Sequence, residues 1–268
     1  MRREPGPRGR PRGSLAWFGL FLMAAGVAWL QFFPERKHPV AASNTPVVRD
    51  KFVSLIVIDP GHGGVDSGAM CAGVLEKDLT LDLAKRLQRL VHLQGFETVL
   101  TRDGDEYQTL GNRVAFTNRQ RDCIFISIHF NDGKLAASSG VETYYPSRQL
   151  DDHATPFSSW LPFLQRASSD SPNLQSQSLA GFIQDALVAR TQALNRGTKT
   201  EQFYVIANVH YPAVLVEGGF LTNKDDVTKL ESGDYRERMA AAICEGILRY
   251  RDALRTRQPA LAVTTPGS

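Results

Sequence analysis

Leu79, Leu83, Leu87 and Leu90 recur at spacings of four, four and three, which puts them on one face of a helix that Gly95 would end. The chain changes period on either side. Residues 55–58, 98–100, 123–128, 141–145, 203–206 and 213–216 are short β-branched or aromatic runs that read as strands. Helical spacing returns at 110–119, at 178–194 and from about 234 to 251. Strands alternating with helices predict an α/β domain whose mostly parallel sheet is covered by helices on both faces. Residues 146–177 break the alternation with 32 residues rich in Ser, Pro and Asp. Loops of that length are usually lids or binding loops, and the apolar centre around Trp160 and Phe163 suits an element lying over a site.

A different pattern precedes the domain. Residues 15–33 form a stretch of 19 without a formal charge. As a helix it would span roughly 28 Å, close to the ~30 Å hydrocarbon layer of a bilayer. Residues 1–13 hold five Arg and one Glu, and a basic leader of this kind stays in the cytoplasm while the C-terminal portion is exported. The organisation expected is a leader over 1–13, a transmembrane signal-anchor over 14–34 and a linker over 35–50. The folded domain follows over 51–253, with a disordered tail over 254–268. Signal cleavage near Val40-Ala41-Ala42 is the alternative to a retained anchor; both place the domain outside the cytoplasm, in the cell envelope.

Composition adds limits more than clues. The 268 residues are 42% hydrophobic and 22% charged with a net charge of +3. The leader alone carries +4, so the rest sums to −1 and offers no basic footprint for nucleic acid. Cys71, Cys123 and Cys244 are too few and scattered for a disulfide framework or a thiolate zinc site, and the last two fall in apolar patterns that suit packed thiols.

Candidate chemistry stands where apolar strands end. The run 56–58 leads through Asp59-Pro60-Gly61 to His62, the run 124–128 stops at His129, and 214–216 stops at Glu217. Parallel strands share one C-terminal edge, so these three should converge there. Glu76, in the loop before the first helix, can reach back to the same edge. Any one of them alone reads as a structural histidine or a carboxylate complementing a helix dipole; their joint placement argues for a site. Two His and one Glu form a ligand set for catalytic zinc, with a position left for water. Glu217 would then act as general base, and the reaction class is metal-assisted amide hydrolysis. His38, His92, His153 and His210 lie in the tether, helix, long loop and a turn, and stay outside the metal set.

At these residues the sequence resembles the zinc-dependent N-acetylmuramoyl-L-alanine amidases, a family whose catalytic domain is labelled amidase type 3. The matching stretches run from Ile58-Asp-Pro-Gly-His62-Gly-Gly through Leu75-Glu76-Lys77, Leu100-Thr-Arg102 and Ile126-Ser-Ile-His129-Phe-Asn131. They continue through Gly140-Val-Glu-Thr-Tyr144 to Pro212-Ala-Val-Leu-Val-Glu217-Gly-Gly-Phe220. The resemblance implies one zinc ion on His62, Glu76 and His129, Glu217 as catalytic carboxylate, and a three-layer sandwich around a six-stranded sheet. Peptidoglycan is the implied substrate, cut between N-acetylmuramic acid and L-alanine. It further suggests that Asn131 and Arg113 support the ligands or touch substrate, although a helix-surface salt bridge would equally account for Arg113. An activator protein acting on residues 146–177 is a further implied partner. The alternatives are a zinc peptidase acting on stem peptides and a non-catalytic wall-binding protein.

Overall fold

The computed structural model describes residues 53–149 and 173–262. The run at 55–58 extends into β1 (Leu55–Pro60), whose Ile56 and Ile58 face one side of the sheet while Val57 faces the other. A hairpin of β2 (Met70–Cys71) and β3 (Val74–Leu75) leads into α1 (Glu76–Leu93). The leucines predicted to share a face do so: Leu79, Leu83 and Leu87 are buried together with Val91. Next come β4 (Glu97–Leu100), α2 (Leu110–Asn118), β5 (Cys123–Asn131) and β6 (Val141–Tyr145). The second described stretch holds α3 (Leu174–Thr191), β7 (Asn195–Thr200), α4 (Tyr204–Ala207), β8 (Ala213–Phe220), α5 (Lys224–Glu231) and α6 (Gly233–Ala262).

The six-stranded sheet has the order β4-β1-β5-β8-β6-β7. Strands β4, β1, β5 and β8 are parallel, β6 runs antiparallel to β8, and β7 is parallel to β6. The larger core packs Ile56, Ile58, Ile126 and Val214 under α1, α3 and α6. The smaller packs Val57, Phe125 and Leu215 against Val114 of α2 and Val205 and Ile206 of α4. Both faces are therefore covered, which is the three-layer arrangement expected. Cys123 and Cys244 are buried free thiols, as their apolar surroundings foretold.

Several elements differ from the expectation. The run at 203–206 is helical, not a strand; it turns Val205 and Ile206 into the smaller core within a single helical turn. The strand that was missed, β7 (NRGTKT), contains no apolar residue, because it is an edge strand paired on one side to β6. His129 and Glu217 lie within β5 and β8, not after them. Helix α3 begins at Leu174, where the Asn173 side chain accepts from the Ser176 N–H at 3.1 Å, so the long connection ends earlier than 177. At its other end Gln149 donates to the carbonyls of Ile206 and Tyr211, and Asn173 donates to Gln149. Helix α6 continues to Ala262, beyond the point at which a tail was expected.

The leader, signal-anchor and linker fall outside the described residues, as do 150–172 of the long loop, with His38 and His153. Among the described residues no helix is long and apolar enough to cross a membrane.

Candidate metal centre

The loop after β1 is held from below by two arginines. Arg102 donates to the carbonyls of Pro60 and Gly61 at 3.1 and 2.8 Å. Arg113, only 4% exposed, donates to the carbonyls of Pro60 and His62 at 2.6 and 2.7 Å and pairs with Asp59 at 2.6 Å. Asp59 is itself buried and also accepts from Thr101 and Ser127 at 2.5 and 2.9 Å. This network holds His62 at φ +60, a left-handed conformation uncommon for a residue with a side chain. Gly63 follows at φ +129, where a Cβ would lie 2.2 Å from the Glu106 carbonyl. Gly61 is required for space: a Cβ there would stand 2.3 Å from the His129 ring.

Glu76 opens α1, and its backbone N–H donates to the Ala69 carbonyl at 3.0 Å. Its Oε2 accepts from the Ala69 N–H at 2.9 Å, while Oε1 accepts from the Phe130 N–H at 3.0 Å. Oε1 also lies 3.1 Å from His62 Nε2 and 3.0 Å from His129 Nδ1. The two rings meet edge to face with centroids 4.9 Å apart. Burial disfavours ionisation of Glu76, but the hydrogen bonds and charges of His129 and His62 outweigh it and hold the carboxylate well below its usual pKa. Burial likewise lowers the pKa of His62, and Glu76 and Asp66 together more than reverse that.

Among the described residues, His62, Glu76 and His129 form the one group of three metal-type ligands, their donor atoms all within 4.8 Å of one another. The set fits zinc in chemistry as well as spacing. It offers two nitrogens and one carboxylate oxygen, and Asp66 Oδ2 sits 2.9 Å from His62 Nδ1, where it orients the ring with Nε2 directed inward. His92 and His210 take no part: His92 lies in the last turn of α1, and His210 follows Val209 in a turn where its N–H donates to Asn118.

Glu217 stands beside this group, in register with His129 on the neighbouring strand. Its Oε2 is sealed from solvent and has no hydrogen-bond partner. Burial, then the nearby Glu76 and Glu142 carboxylates, push its pKa well above the ordinary value. Glu142 is the register partner of Glu217 on its other side, because antiparallel β6 begins at the edge where β8 nears its end.

The geometry separates the two second-rank candidates. Arg113 is buried against Asp59 and the backbone, so its salt bridge is internal and not on a helix surface. Asn131 donates to Glu142 Oε1 at 2.7 Å. Sequence reasoning did not single out Asp66, Glu142, Arg196 or Lys199. Glu142 alone carried a signal, as a carboxylate between apolar and β-branched residues in a strand, which needs partners to be buried.

A His-Glu-His group at the strand edge of an α/β sandwich, beside a carboxylate with one oxygen sealed from solvent, is an arrangement that can hold a metal ion for hydrolysis. Residues 56–249 match the family described as N-acetylmuramoyl-L-alanine amidase, and this chain belongs to that family. It is 37% identical to the uncharacterized protein YqiI of Bacillus subtilis, over 74% of this chain and 84% of that one. It is 36% identical to the N-acetylmuramoyl-L-alanine amidase LytC of the same organism, over 77% of this chain but only 39% of LytC. The solved amidase AmiC2 of Nostoc punctiforme superposes with a TM-score of 0.62 at 34% identity, covering 74% of this chain and 97% of that one.

Proposed function

We propose that this chain is a zinc-dependent amidase that hydrolyses the bond between N-acetylmuramic acid and the L-alanine of the peptidoglycan stem peptide. The observation that carries this reading is the convergence of His62, Glu76 and His129 within 4.8 Å, next to the unpartnered Oε2 of Glu217, in a chain of the amidase family. Zinc, when bound by the three ligands, would polarise the scissile carbonyl and make a water acidic enough to attack near neutral pH.

The protein's own residues do the rest. Glu217 takes the proton of the attacking water and delivers it to the departing alanine nitrogen. Its enclosure makes it a stronger base than an exposed carboxylate. Asp66 accepts from His62 Nδ1–H and so keeps Nε2 free as a ligand. Arg113 acts from beneath, through the carbonyls of Pro60 and His62, and Asn131 acts on Glu142; neither touches the reacting amide in this scheme. Action outside the cytoplasm fits a wall substrate, with residues 14–34 as membrane anchor and 51–253 as the catalytic domain. The resemblance adds an activator acting on residues 146–177; deleting 150–172 should then raise basal turnover.

The test is digestion of purified peptidoglycan by the full chain with and without zinc, with fragments identified by mass spectrometry. Intact stem peptides beginning with L-alanine, lost on zinc removal, are expected. Zinc-dependent cuts within the stem would make the chain a peptidase instead, and metal binding without release would favour a binding protein.

A further inference from the structure

Two strands beyond Glu217, the same sheet edge carries a cluster that the hydrolytic scheme leaves unused. Glu142 accepts four donors. Asn131 and Tyr144 reach Oε1 at 2.7 and 2.6 Å, while Arg196 and Lys199 of β7 reach Oε2 at 2.7 and 2.5 Å. One carboxylate thus faces two cations and leaves a surplus positive charge. Arg196 uses only Nε, and its two terminal nitrogens donate to nothing among the described residues. Lys199 has its single bond to Glu142, with two donors to spare. Both are partly exposed, at 32% and 38%. The guanidinium is propped on the Phe220 ring, 4.8 Å from its centroid, and the ammonium lies 5.6 Å from that of Tyr144. The exposed Glu201 pairs with neither.

We infer that Arg196 and Lys199, held in place by Glu142, form a binding station for a free carboxylate on the peptide side of the scissile amide. An ordinary surface ion pair would be one to one and mobile. Here the anchoring carboxylate is buried and fully occupied, so it holds two partly exposed cations whose remaining donors are left for a ligand carboxylate. Strands lie about 4.8 Å apart, so β7 is roughly 10 Å from β8, the span of about three extended residues. The ligand class is therefore an acidic peptide whose carboxylate lies two or three residues past the alanine. This deepens the amidase reading and rests on it for which end of the substrate crosses β6 and β7.

Binding separates this inference from activity. The full zinc-loaded chain carrying Glu217→Gln is titrated calorimetrically with N-acetylmuramoyl-L-Ala-γ-D-Glu-L-Lys, once with free carboxylates and once with every carboxyl converted to carboxamide. The acid should bind about tenfold more tightly, as charge-assisted bonds imply. Adding Arg196→Gln or Lys199→Gln should erase most of that preference, and Arg196→Lys should keep part of it because the charge remains without the guanidinium's paired donors. Equal binding of acid and amide, a preference that survives the double Gln variant, or no binding of either at millimolar peptide would overturn the inference. Acid preference in a chain that releases no stem peptides would leave the station standing and sink the amidase reading alone.

Discussion

Glu217 and Glu142 are register partners on adjacent strands, and their surroundings are opposite. Glu217 has an oxygen enclosed without a partner, and burial together with neighbouring carboxylates raises its pKa. Burial also works against Glu142, but hydrogen bonds from Lys199, Tyr144, Arg196 and Asn131 outweigh it and bring its pKa to about 2. Donors set them apart: Glu142 accepts from four, and the Oε2 of Glu217 from none. A carboxylate left without donors is held ready to take a proton, whereas one saturated with them is a fixed negative charge that organises cations.

The largest effect should come from removing the proposed base. Glu217→Gln is expected to cut amide hydrolysis at least about a thousandfold, while zinc content, read by elemental analysis, stays unchanged. The same change should stabilise the metal-free chain. A raised pKa gives stability that is full below the unfolded value of 4.5 and is lost as pH rises toward the folded one, so the Gln variant should melt higher than wild type at neutral pH. An equal or lower melting temperature would mean that Glu217 is not strained by its enclosure.

Next in size is the support beneath the metal loop. Arg113→Met leaves the buried Asp59 uncompensated and frees the carbonyls of Pro60 and His62; a loss of about 3–5 kcal/mol in chemical unfolding is expected. Asp66→Asn removes the carboxylate that orients His62 and should weaken zinc binding about 10- to 100-fold in a chelator competition, with little change in fold. An unchanged affinity would show that the ring is oriented by its left-handed backbone alone.

The smallest effect sharpens the other side of the comparison. Glu142 has a depressed pKa, so it contributes stability that is present above 4.5 and is lost as pH falls toward about 2. Glu142→Gln should flatten the melting-temperature profile across that window and leave it nearly parallel to wild type above it. A full acid-induced drop in the variant would assign the loss to other carboxylates.

Local pattern pointed to the candidate site because His62, His129 and Glu217 each come after a run that could be recognised alone, while Glu76 was placed by its loop before the first helix. Ile56 to Ile58, Ile124 to Ile128 and Val214 to Val216 are too apolar to be anything but interior strands, and the polar residue at each end is conspicuous. Short apolar runs in other settings misled. Phe203 to Ile206 reads as a strand because four residues do not distinguish a period of two from one of 3.6. Strand β7 was invisible for the opposite reason: Asn195 to Thr200 has no apolar alternation, and only pairing with β6 makes it a strand.

The sequence by itself determined the α/β class, the covered sheet, the convergence of His62, Glu76, His129 and Glu217, and the kinship with the amidases. Periodicity and strand ends are local properties, and a parallel sheet brings its strand ends to one edge whatever the remaining details. Tertiary structure alone decided the antiparallel turn of β6, which sets Glu142 against Glu217, and the pairing of β7, which brings Arg196 and Lys199 to Glu142 across more than fifty residues. It likewise decided that Arg113 is buried against Asp59, 54 residues away. The physical reason is common to all of these. Whether a charged side chain is paired, orphaned or solvated depends on partners distant in the chain, and no local pattern of apolar and polar residues encodes who those partners are.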